Sequence, residues 1–355
     1  MRSDARAGGG GDVPARRVVV PRPGGPGVLE VRPFDPGPPG PGEVAIEVRA
    51  IGVNYADVFC RLGLYAAAPP FPMTPGFEVA GTVAAAGRGV TRVRPGDRVM
   101  AVTRFGGYAT RVVVAERWVE PLPDGWSFVD GAAFPVAYLT AWHGLVHVGR
   151  LAAGETVVVQ SAAGGVGMAA CAIARALGAR VIGTVGSPEK EAAARRAGAE
   201  EVVVTPRYDA WPRIRELAGG GGVDLVLDAV GGPRLRDAFE ALRPVGRLVC
   251  YGFSSMTPRG GRRNWPRLAW QFLRTPRFHP FDLVGRNRTV AGFNLVHLWD
   301  RAELFRGAMD RMLALAREGR LRPFPGPTFP FEEAGRAQEA LAGRRTTGRV
   351  VLVVG

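Results

Sequence analysis

The chain has 355 residues, and its 46% apolar and 22% charged content is ordinary for a globular protein of roughly two domains. No run of about 18 uninterrupted apolar residues occurs, which argues against a transmembrane helix. The first 17 residues carry arginines but no apolar core, which argues against a secretory signal. Cys60, Cys171 and Cys250 are spaced too widely for a zinc knuckle or a disulfide framework, so we expect a cytoplasmic protein.

The formal net charge is +14, and Lys190 is the only lysine among the 46 basic residues. A general bias toward arginine accounts for much of this charge, but a local cluster needs its own explanation. Residues 258–288 form such a cluster, with a net charge of about +7 and Asp282 as the single acid. Its arginines and interleaved aromatic residues are Arg259, Arg262, Arg263, Arg267, Arg274, Arg277, Arg286, Arg288, Trp265, Trp270, Phe272, Phe278 and Phe281.

This basic-aromatic segment (residues 258–288) has two interpretations. Arginine stems with aromatic rings suit a surface that contacts anionic lipid headgroups, which predicts a protein peripheral to a membrane. Alternatively, a basic helix covers a cleft or a dimer edge and buries its aromatic rings. No basic-aromatic module for nucleic-acid recognition is recognisable, so we expect no nucleic-acid partner.

The pattern of the N-terminal part predicts a short tail followed by a β-rich domain. Residues 1–15 are small, polar and without periodicity, which predicts a flexible tail. The following residues, 16–138, hold Val-rich segments separated by Pro and Gly, which predicts short strands in a barrel-like domain. The clearest of these segments are 44–54, 78–87, 97–103 and 108–118.

The pattern changes in residues 139–295, where short apolar runs alternate with helical segments. The runs are 156–160, 180–185, 201–205, 223–230 and 246–252, and the helical segments are 168–178, 188–198 and 233–246. Strict alternation of this kind predicts an α/β domain with a doubly wound parallel sheet. Residues 296–355 hold a helical pattern and a last strand but too few residues for a core, so they should return to the first domain.

The strongest motif is the segment TVVVQSAAGGVGMAACAIARALG, in which a buried strand runs through a Gly-rich turn into a helix. Its glycine pattern is Ala162-x-Gly164-x-x-Gly167, with Gly165 and Val166 inside the turn. A pyrophosphate requires this close backbone approach and a helix N-terminus directed at it. The motif predicts a dinucleotide-binding loop, and the alternative is an ordinary tight turn.

The second strand of this domain indicates which dinucleotide is preferred. NAD sites place a carboxylate about 20 residues after the glycines, but Thr184 stands there and Ser187 and Lys190 follow. A hydroxyl and a cation suit a 2′-phosphate, which favours NADP(H) over NAD(H). The alternative is that Ser187 caps a helix and Lys190 is a solvated surface residue.

At this point the chain resembles a known family over nearly its whole length, the medium-chain dehydrogenase/reductase superfamily. It is most similar to the zinc-free quinone oxidoreductase branch and to the VAT-1 homologues within it. The matching motifs are GVNYADVFCRLGLY (52–65), TPGFEVAGTV (74–83), GDRV (96–99), GGYAT (106–110), LTAWHGL (139–145), AAGGVG (162–167) and TTGRVVLV (346–353). The resemblance implies a GroES-like first domain and a Rossmann second domain.

The resemblance also bears on metal. Zinc-dependent members carry a Cys after the first Gly-Val and a Gly-His-Glu in the second motif. Here Asn54 and Phe77 occupy these two positions, and zinc requires three or four Cys, His or carboxylate ligands. We therefore expect no zinc.

Several site residues follow from the resemblance alone. It implies that Tyr65 is the proton donor, although Tyr65 could instead be an ordinary loop aromatic. Asn54 should orient ligand or backbone, and Asp57 could be no more than a helix-start residue. To the cofactor-binding residues already predicted from the motifs themselves, Ala162, Gly164, Gly165, Val166, Gly167, Ser187 and Lys190, the resemblance adds Thr140, Tyr251, Gly252, Phe293, Asn294 and Arg349.

Together these features predict an NADPH-dependent, zinc-free reductase that transfers hydride to a lipophilic quinone or α,β-unsaturated carbonyl. One alternative is an enoyl-thioester reductase. Another is a nucleotide-binding protein associated with lipid or membrane that has little catalytic activity. The resemblance further implies a homodimer paired through the edge of the nucleotide-binding sheet.

Overall fold

The computed structural model describes residues 14–205, 210–256 and 265–355. The predicted tail therefore lies almost entirely outside the described residues, as do Arg259, Arg262 and Arg263 of the basic-aromatic segment. The N-terminal elements are β1 (Arg16–Val19), β2 (Glu30–Pro33), β3 (Glu43–Gly52), α1 (Tyr55–Leu62), β4 (Glu78–Ala86), β5 (Arg98–Val102), β6 (Arg111–Ala115), β7 (Val119–Pro121), α2 (Phe128–Ala133) and α3 (Pro135–Trp142).

The middle of the chain alternates strands with helices. Its elements are β8 (Thr156–Val159), α4 (Gly165–Ala176), β9 (Arg180–Val185), α5 (Glu191–Arg196), β10 (Glu201–Val204), α6 (Ala210–Leu217), β11 (Val223–Asp228), α7 (Leu235–Glu240), β12 (Leu242–Cys250), α8 (Trp265–Arg274), α9 (Pro280–Arg286) and β13 (Thr289–Gly292). The remaining elements are α10 (Ala302–Arg317), β14 (Pro325–Pro330), α11 (Ala334–Ala342) and β15 (Arg349–Val353).

The strands of the middle part form one parallel sheet in the order β10-β9-β8-β11-β12-β13. In order of appearance along the chain, this is third, second, first, fourth, fifth, sixth, which is the Rossmann arrangement. Every residue of β11 is buried, because helices cover both faces of the sheet. The structure thus confirms the predicted doubly wound sheet.

The N-terminal strands form a mainly antiparallel sheet in the order β14-β15-β3-β4-β5-β7, with β6 paired to β3. The last strand, β15, lies between β14 and β3, so the C-terminal segment completes the first domain as predicted. One buried apolar cluster continues from this sheet into the parallel sheet and includes Met100, Phe134, Trp142, Met168 and Phe305. The two sheets therefore share a core at the level of α2, α3 and α4.

Two predicted helices are shorter than the sequence pattern suggested. The helix predicted over 233–246 ends at Glu240, because Leu242 already pairs with Val223 as the start of β12. The helix predicted over 188–198 begins as a single 3₁₀ turn and is α-helical only from Glu191 to Arg196. The exact domain boundaries at residues 138 and 295 stay predictions.

Candidate active site

The dinucleotide loop leads directly into α4, whose first residue is Gly165 and whose N-cap is Gly164. A β-carbon at Gly167 would lie 2.1 Å from the Ser161 carbonyl oxygen, so only glycine lets the helix pack this closely on the loop. The first-turn amides of such a helix lack intrahelical partners and attract an anion. The loop of Ala162, Gly164, Gly165, Val166 and Gly167 therefore has a close-packed backbone and a helix N-terminus at the place where the sequence predicts a pyrophosphate.

The C-terminal strand docks on this loop. The Gly348 amide donates a 2.8 Å hydrogen bond to the Ala163 carbonyl, and Gly164 and Gly348 form a parallel bridge. Arg349 comes next, and its Cδ would lie 3.1 Å from a β-carbon at Gly165. Arg349 therefore meets the loop through its side-chain stem.

The Arg349 guanidinium is buried and paired. Its Nη2 contacts both Glu78 Oε1 and Asn54 Oδ1, and Glu78 is fully buried. The other Glu78 oxygen accepts a 2.7 Å hydrogen bond from the Val136 amide at the start of α3. Through this ion pair, β15 is connected to Asn54 of the segment 52–65 and to the start of α3. Removal of one partner would leave the other charge buried and unpaired, which lowers the stability of the folded protein.

Asp57 is also fully buried and acts as an acceptor for the first motif. Its carboxylate accepts hydrogen bonds from the amides of Asn54 at 2.7 Å and Gly76 at 3.0 Å and from the Tyr108 hydroxyl at 3.1 Å. Burial raises the pKa of Asp57 to about 7, although these hydrogen bonds act in the opposite direction. The Asp57 carboxylate therefore fixes the backbone at Asn54 and connects it to the backbone at Gly76.

Tyr65 lies where the β-rich domain meets the parallel sheet. Its hydroxyl donates a 2.9 Å hydrogen bond to Asn294 Oδ1, two residues after β13 ends. Its ring packs edge-on against Phe77 at 6.1 Å between centroids. Burial raises the pKa of Tyr65 to about 12, so the phenol keeps its proton near neutral pH.

Four of the residues expected beside a nicotinamide, Tyr251, Gly252, Phe293 and Asn294, directly follow β12 and β13 at the carboxyl edge of the sheet, whereas Thr140 lies on α3 and donates a 2.7 Å hydrogen bond to the Val136 carbonyl oxygen. The rings of Tyr251 and Phe293, which follow β12 and β13, stack at 6.1 Å between centroids. The ring of His143, three residues after Thr140, packs on Phe293 at 4.8 Å. At Gly252, a β-carbon would lie 3.0 Å from the Ala229 carbonyl oxygen, so a larger residue would crowd this edge.

Ser187 and Lys190 lie after β9, near the loop that ends α11. Lys190 Nζ donates a 2.6 Å hydrogen bond to the Arg344 carbonyl oxygen, and Arg344 Nη2 donates a 2.7 Å bond to the Ser254 carbonyl. Ser187 makes no side-chain capping bond to the following turn. Lys190 thus has a structural contact, and Arg344 is a second cation here that the sequence did not single out.

The sequence reasoning also missed a buried carboxylate at the edge of the sheet. Asp228 ends β11 and accepts hydrogen bonds from the amides of Val230 at 2.9 Å and Gly231 at 2.6 Å. Gln160 donates to its other oxygen, and burial raises the pKa of Asp228 to about 6. The sequence does show that Asp228 follows an apolar run. This could have indicated the site, because ligands bind at the carboxyl ends of the strands in sheets of this kind.

The positions of zinc ligands in zinc-dependent relatives do not form a donor set here. Phe77 has no donor atom, and Glu78 is engaged by Arg349. Burial raises the pKa of the Cys60 thiol, which disfavours the thiolate that binds metal. Within the described residues no group of three or more His, Cys, Asp and Glu side chains could hold a metal ion.

Comparison with known proteins fits this geometry. Residues 40–124 match the model of the alcohol dehydrogenase GroES-like domain, and residues 165–314 match that of the zinc-binding dehydrogenase family. The chain is 36% identical to human synaptic vesicle membrane protein VAT-1 homolog over 92% of its length and 83% of that protein. It is 37% identical to a Pseudomonas aeruginosa quinone oxidoreductase, covering 96% of this chain and 99% of the relative.

Among solved structures, Escherichia coli quinone oxidoreductase complexed with NADPH superimposes with a TM-score of 0.82 at 30% identity. The match covers 95% of this chain and 99% of that one. The chain therefore belongs to the medium-chain dehydrogenase/reductase superfamily, in its branch of quinone oxidoreductases and VAT-1 homologues.

Proposed function

We propose that the protein is an NADPH-dependent reductase of quinones or α,β-unsaturated carbonyl compounds. The observation that carries this proposal is the half-buried, protonated Tyr65 hydroxyl, held by Asn294 at the junction of the two sheets. A hydroxyl placed beside the carboxyl edge of a nucleotide-binding sheet can stabilise an oxyanion that forms next to the cofactor.

The residues present fit NADP(H). Ala162 to Gly167 would hold the pyrophosphate, and Thr140, Tyr251, Gly252, Phe293 and Asn294 would surround the nicotinamide. Ser187 and Lys190 would contact the 2′-phosphate, with Arg344 beside them. When bound, the reduced cofactor supplies the hydride. The relative solved with NADPH supports this choice of cofactor.

The chain's own residues position the acceptor and control one proton. The Tyr65 hydroxyl donates its one proton to Asn294 Oδ1 in this structure, and on substrate binding it turns to donate a hydrogen bond to the carbonyl oxygen instead. After hydride addition Tyr65 passes this proton to the enolate-like oxygen, and the phenolate that remains takes a proton back from solvent. Arg349 and Glu78 hold the Asn54 amide in place, and Asp57 holds its backbone. Phe77 and Phe105, whose rings lie 5.1 Å apart, provide an apolar wall that keeps water away.

We also propose that this chemistry needs no zinc, because Phe77 and the paired Glu78 leave no donor set at the expected position. Reduction of an activated carbonyl or quinone needs no Lewis acid to stabilise an alkoxide, unlike alcohol oxidation. An enoyl-thioester substrate would use the same Tyr65 chemistry and remains the alternative within the enzyme class.

A second candidate function is contact with anionic membrane, and one observation favours it. Helices α8 and α9 expose large apolar side chains, including Leu273 at 76%, Phe281 at 82% and Val284 at 81% exposure. Phe278 instead supports the alternative that the segment buries its aromatic rings, because its ring packs on Phe239 at 5.1 Å between centroids. No described helix is long and apolar enough to cross a bilayer, so the contact we propose is peripheral.

The proposed homodimer would use the outer edge of β13. This strand lies at the end of the parallel sheet and, among the described residues, pairs only with β12. A second copy related by a twofold axis could continue the sheet through this edge.

Turnover of a substrate panel tests the enzymatic proposal. Quinones, enones and enoyl thioesters are each incubated with NADPH or NADH, and cofactor oxidation is followed. We expect turnover of quinones or enones with preference for NADPH. NADPH binding without turnover of any acceptor would contradict the proposal and favour the membrane-associated binding protein.

A further inference from the structure

A cavity of about 400 Å³ lies on the β-rich domain, outside the site described above. Its walls come from the loop from Val102 to Gly106, strand β6, and the single residues Phe34, Pro36, Glu43, Arg117, Trp118 and Trp299. Neither the dinucleotide loop nor Tyr65, Phe77 or Asn294 is part of the lining. The volume falls within the range of roughly 300–1,000 Å³ that is typical of small-molecule sites.

The apolar part of this lining is aromatic. Trp118 and Trp299 stack at 4.1 Å between centroids with an angle of 23° between their planes, and both line the cavity. Phe34 and Phe105 contribute two more rings. Flat aromatic walls favour a flat aromatic guest, which packs against them in offset or edge-to-face contact.

The charged part of the lining is positive. Three arginines and Glu43 line the cavity, a formal balance of +2. Arg111 is already paired with Glu47 at 2.5 Å, and Glu43 accepts the Gly40 amide at 2.9 Å. Arg104 and Arg117 are exposed, and within the described residues neither has an ion-pair partner. These two guanidinium groups are therefore available to an anion.

We propose that this cavity is a second ligand site, for a planar aromatic compound that carries a carboxylate or sulfonate. The aromatic walls receive the ring, and Arg104 and Arg117 receive the anionic group. The site is distinct from the proposed hydride-transfer site but shares Phe105 with it, because the Phe105 ring lies 5.1 Å from Phe77. Trp299 also belongs to the segment that follows Asn294, the partner of Tyr65.

Calorimetric titration of the full chain with naphthalene-2-sulfonate tests this assignment. We expect one binding site per chain whose affinity is the same with and without saturating NADPH. The double substitution Arg104→Ala and Arg117→Ala should weaken binding at least tenfold. Arg49→Ala is the matched control, since Arg49 is exposed on the same domain and does not line the cavity, and it should leave the affinity unchanged. Hexane-1-sulfonate, which has the charge but no ring, should bind at least tenfold more weakly.

Three results would overturn the proposal: absence of binding, displacement of the probe by NADPH, or unchanged affinity in the double variant. Displacement would place the probe in the dinucleotide cleft instead. Circular dichroism and NADPH binding of each variant show whether its fold is retained, and a single Trp299→Leu substitution tests the aromatic wall independently. Quinone turnover is measured separately, so failure of this second site and failure of the proposed reductase activity are distinguishable.

Discussion

The hydroxyl of Tyr65 and the side-chain oxygen of Asn294 lie 2.9 Å apart, although 229 positions separate the two residues in the chain. Tyr65 follows α1 of the β-rich domain, whereas Asn294 follows the edge strand of the parallel sheet. Their hydrogen bond therefore forms only when the two domains are assembled against each other. It fixes the position of the proposed proton donor relative to the proposed nicotinamide site.

Replacement of Tyr65 tests the proton donor. We expect Tyr65→Phe to lower kcat for enones by about 10²–10⁴-fold, the usual contribution of general acid catalysis. Quinones should be affected less, because solvent can protonate a stable hydroquinone anion. NADPH affinity, measured by fluorescence titration, should stay near wild type. Tyr55→Phe is the control, since the Tyr55 hydroxyl is buried without a partner among the described residues. Unchanged enone turnover in Tyr65→Phe would remove this residue from the mechanism.

Lys190 tests the choice of cofactor. If its ammonium contacts a 2′-phosphate, Lys190→Ala should weaken NADPH binding by about 1–3 kcal/mol, the scale of a charged hydrogen bond. NADH binding by Lys190→Ala should barely change. The control is Arg196→Ala, at an exposed position on α5, and this variant should bind both NADPH and NADH as the wild type does. An equal loss for both cofactors would show that the bond of Lys190 to the Arg344 carbonyl has a structural role only.

Asp57 should make stability depend on pH. Its pKa is about 7 in the folded protein against an ordinary 3.8, so between these values the folded state binds more protons than the unfolded state. The free energy of unfolding should therefore fall as pH rises from 5 to 8, by on the order of 2 kcal/mol from this group. Urea titrations at both pH values measure it. Asp57→Asn should be less stable than wild type at pH 5, with the gap narrower at pH 8. A gap that stays constant or widens would show that Asp57 is already ionised in the folded protein at pH 5.

Metal analysis tests the zinc-free proposal. We expect purified protein to contain no stoichiometric zinc, and extended incubation with a chelator to leave NADPH-dependent turnover intact, because the expected ligand positions hold Asn54 and Phe77. One tightly bound zinc per chain, with activity lost on its removal, would overturn this expectation.

Vesicle co-sedimentation tests the exposed face of α8 and α9. We expect binding to vesicles rich in phosphatidylserine that weakens as salt increases, because arginines near the surface contribute about 1 kcal/mol each. The double substitution Leu273→Ser and Phe281→Ser should reduce it, while the matched surface change Val245→Ser, outside this segment, should not. Binding that ignores lipid charge and salt, or no binding, would leave the segment as structure only.

The sequence predicts the parallel sheet well because its strands are continuous apolar runs, such as 156–160, that only a sheet covered on both faces accommodates. It predicts α4 because the glycine pattern and the helix follow each other directly. It cannot predict the pair of Arg349 and Glu78, which are 271 positions apart and meet because β15 pairs with β3 and β3 pairs with β4. The sequence also does not show that α7 ends at Glu240. Its helical pattern continues beyond that residue, but the pairing of Leu242 with Val223 in the sheet starts β12 there.

The position of β15 between β14 and β3 has a consequence for biosynthesis. Strand β3 is made early, yet one of its neighbours consists of residues 349–353. While the chain leaves the ribosome, all strands of the parallel sheet are available before β15 emerges. Strand β6 can already pair with residues 43–47 of β3, but residues 50–52 of the same edge stay unpaired until β15 arrives. An open edge of this kind invites strand addition from other chains, so nascent copies of this protein should depend on chaperones until translation of β15 closes the edge.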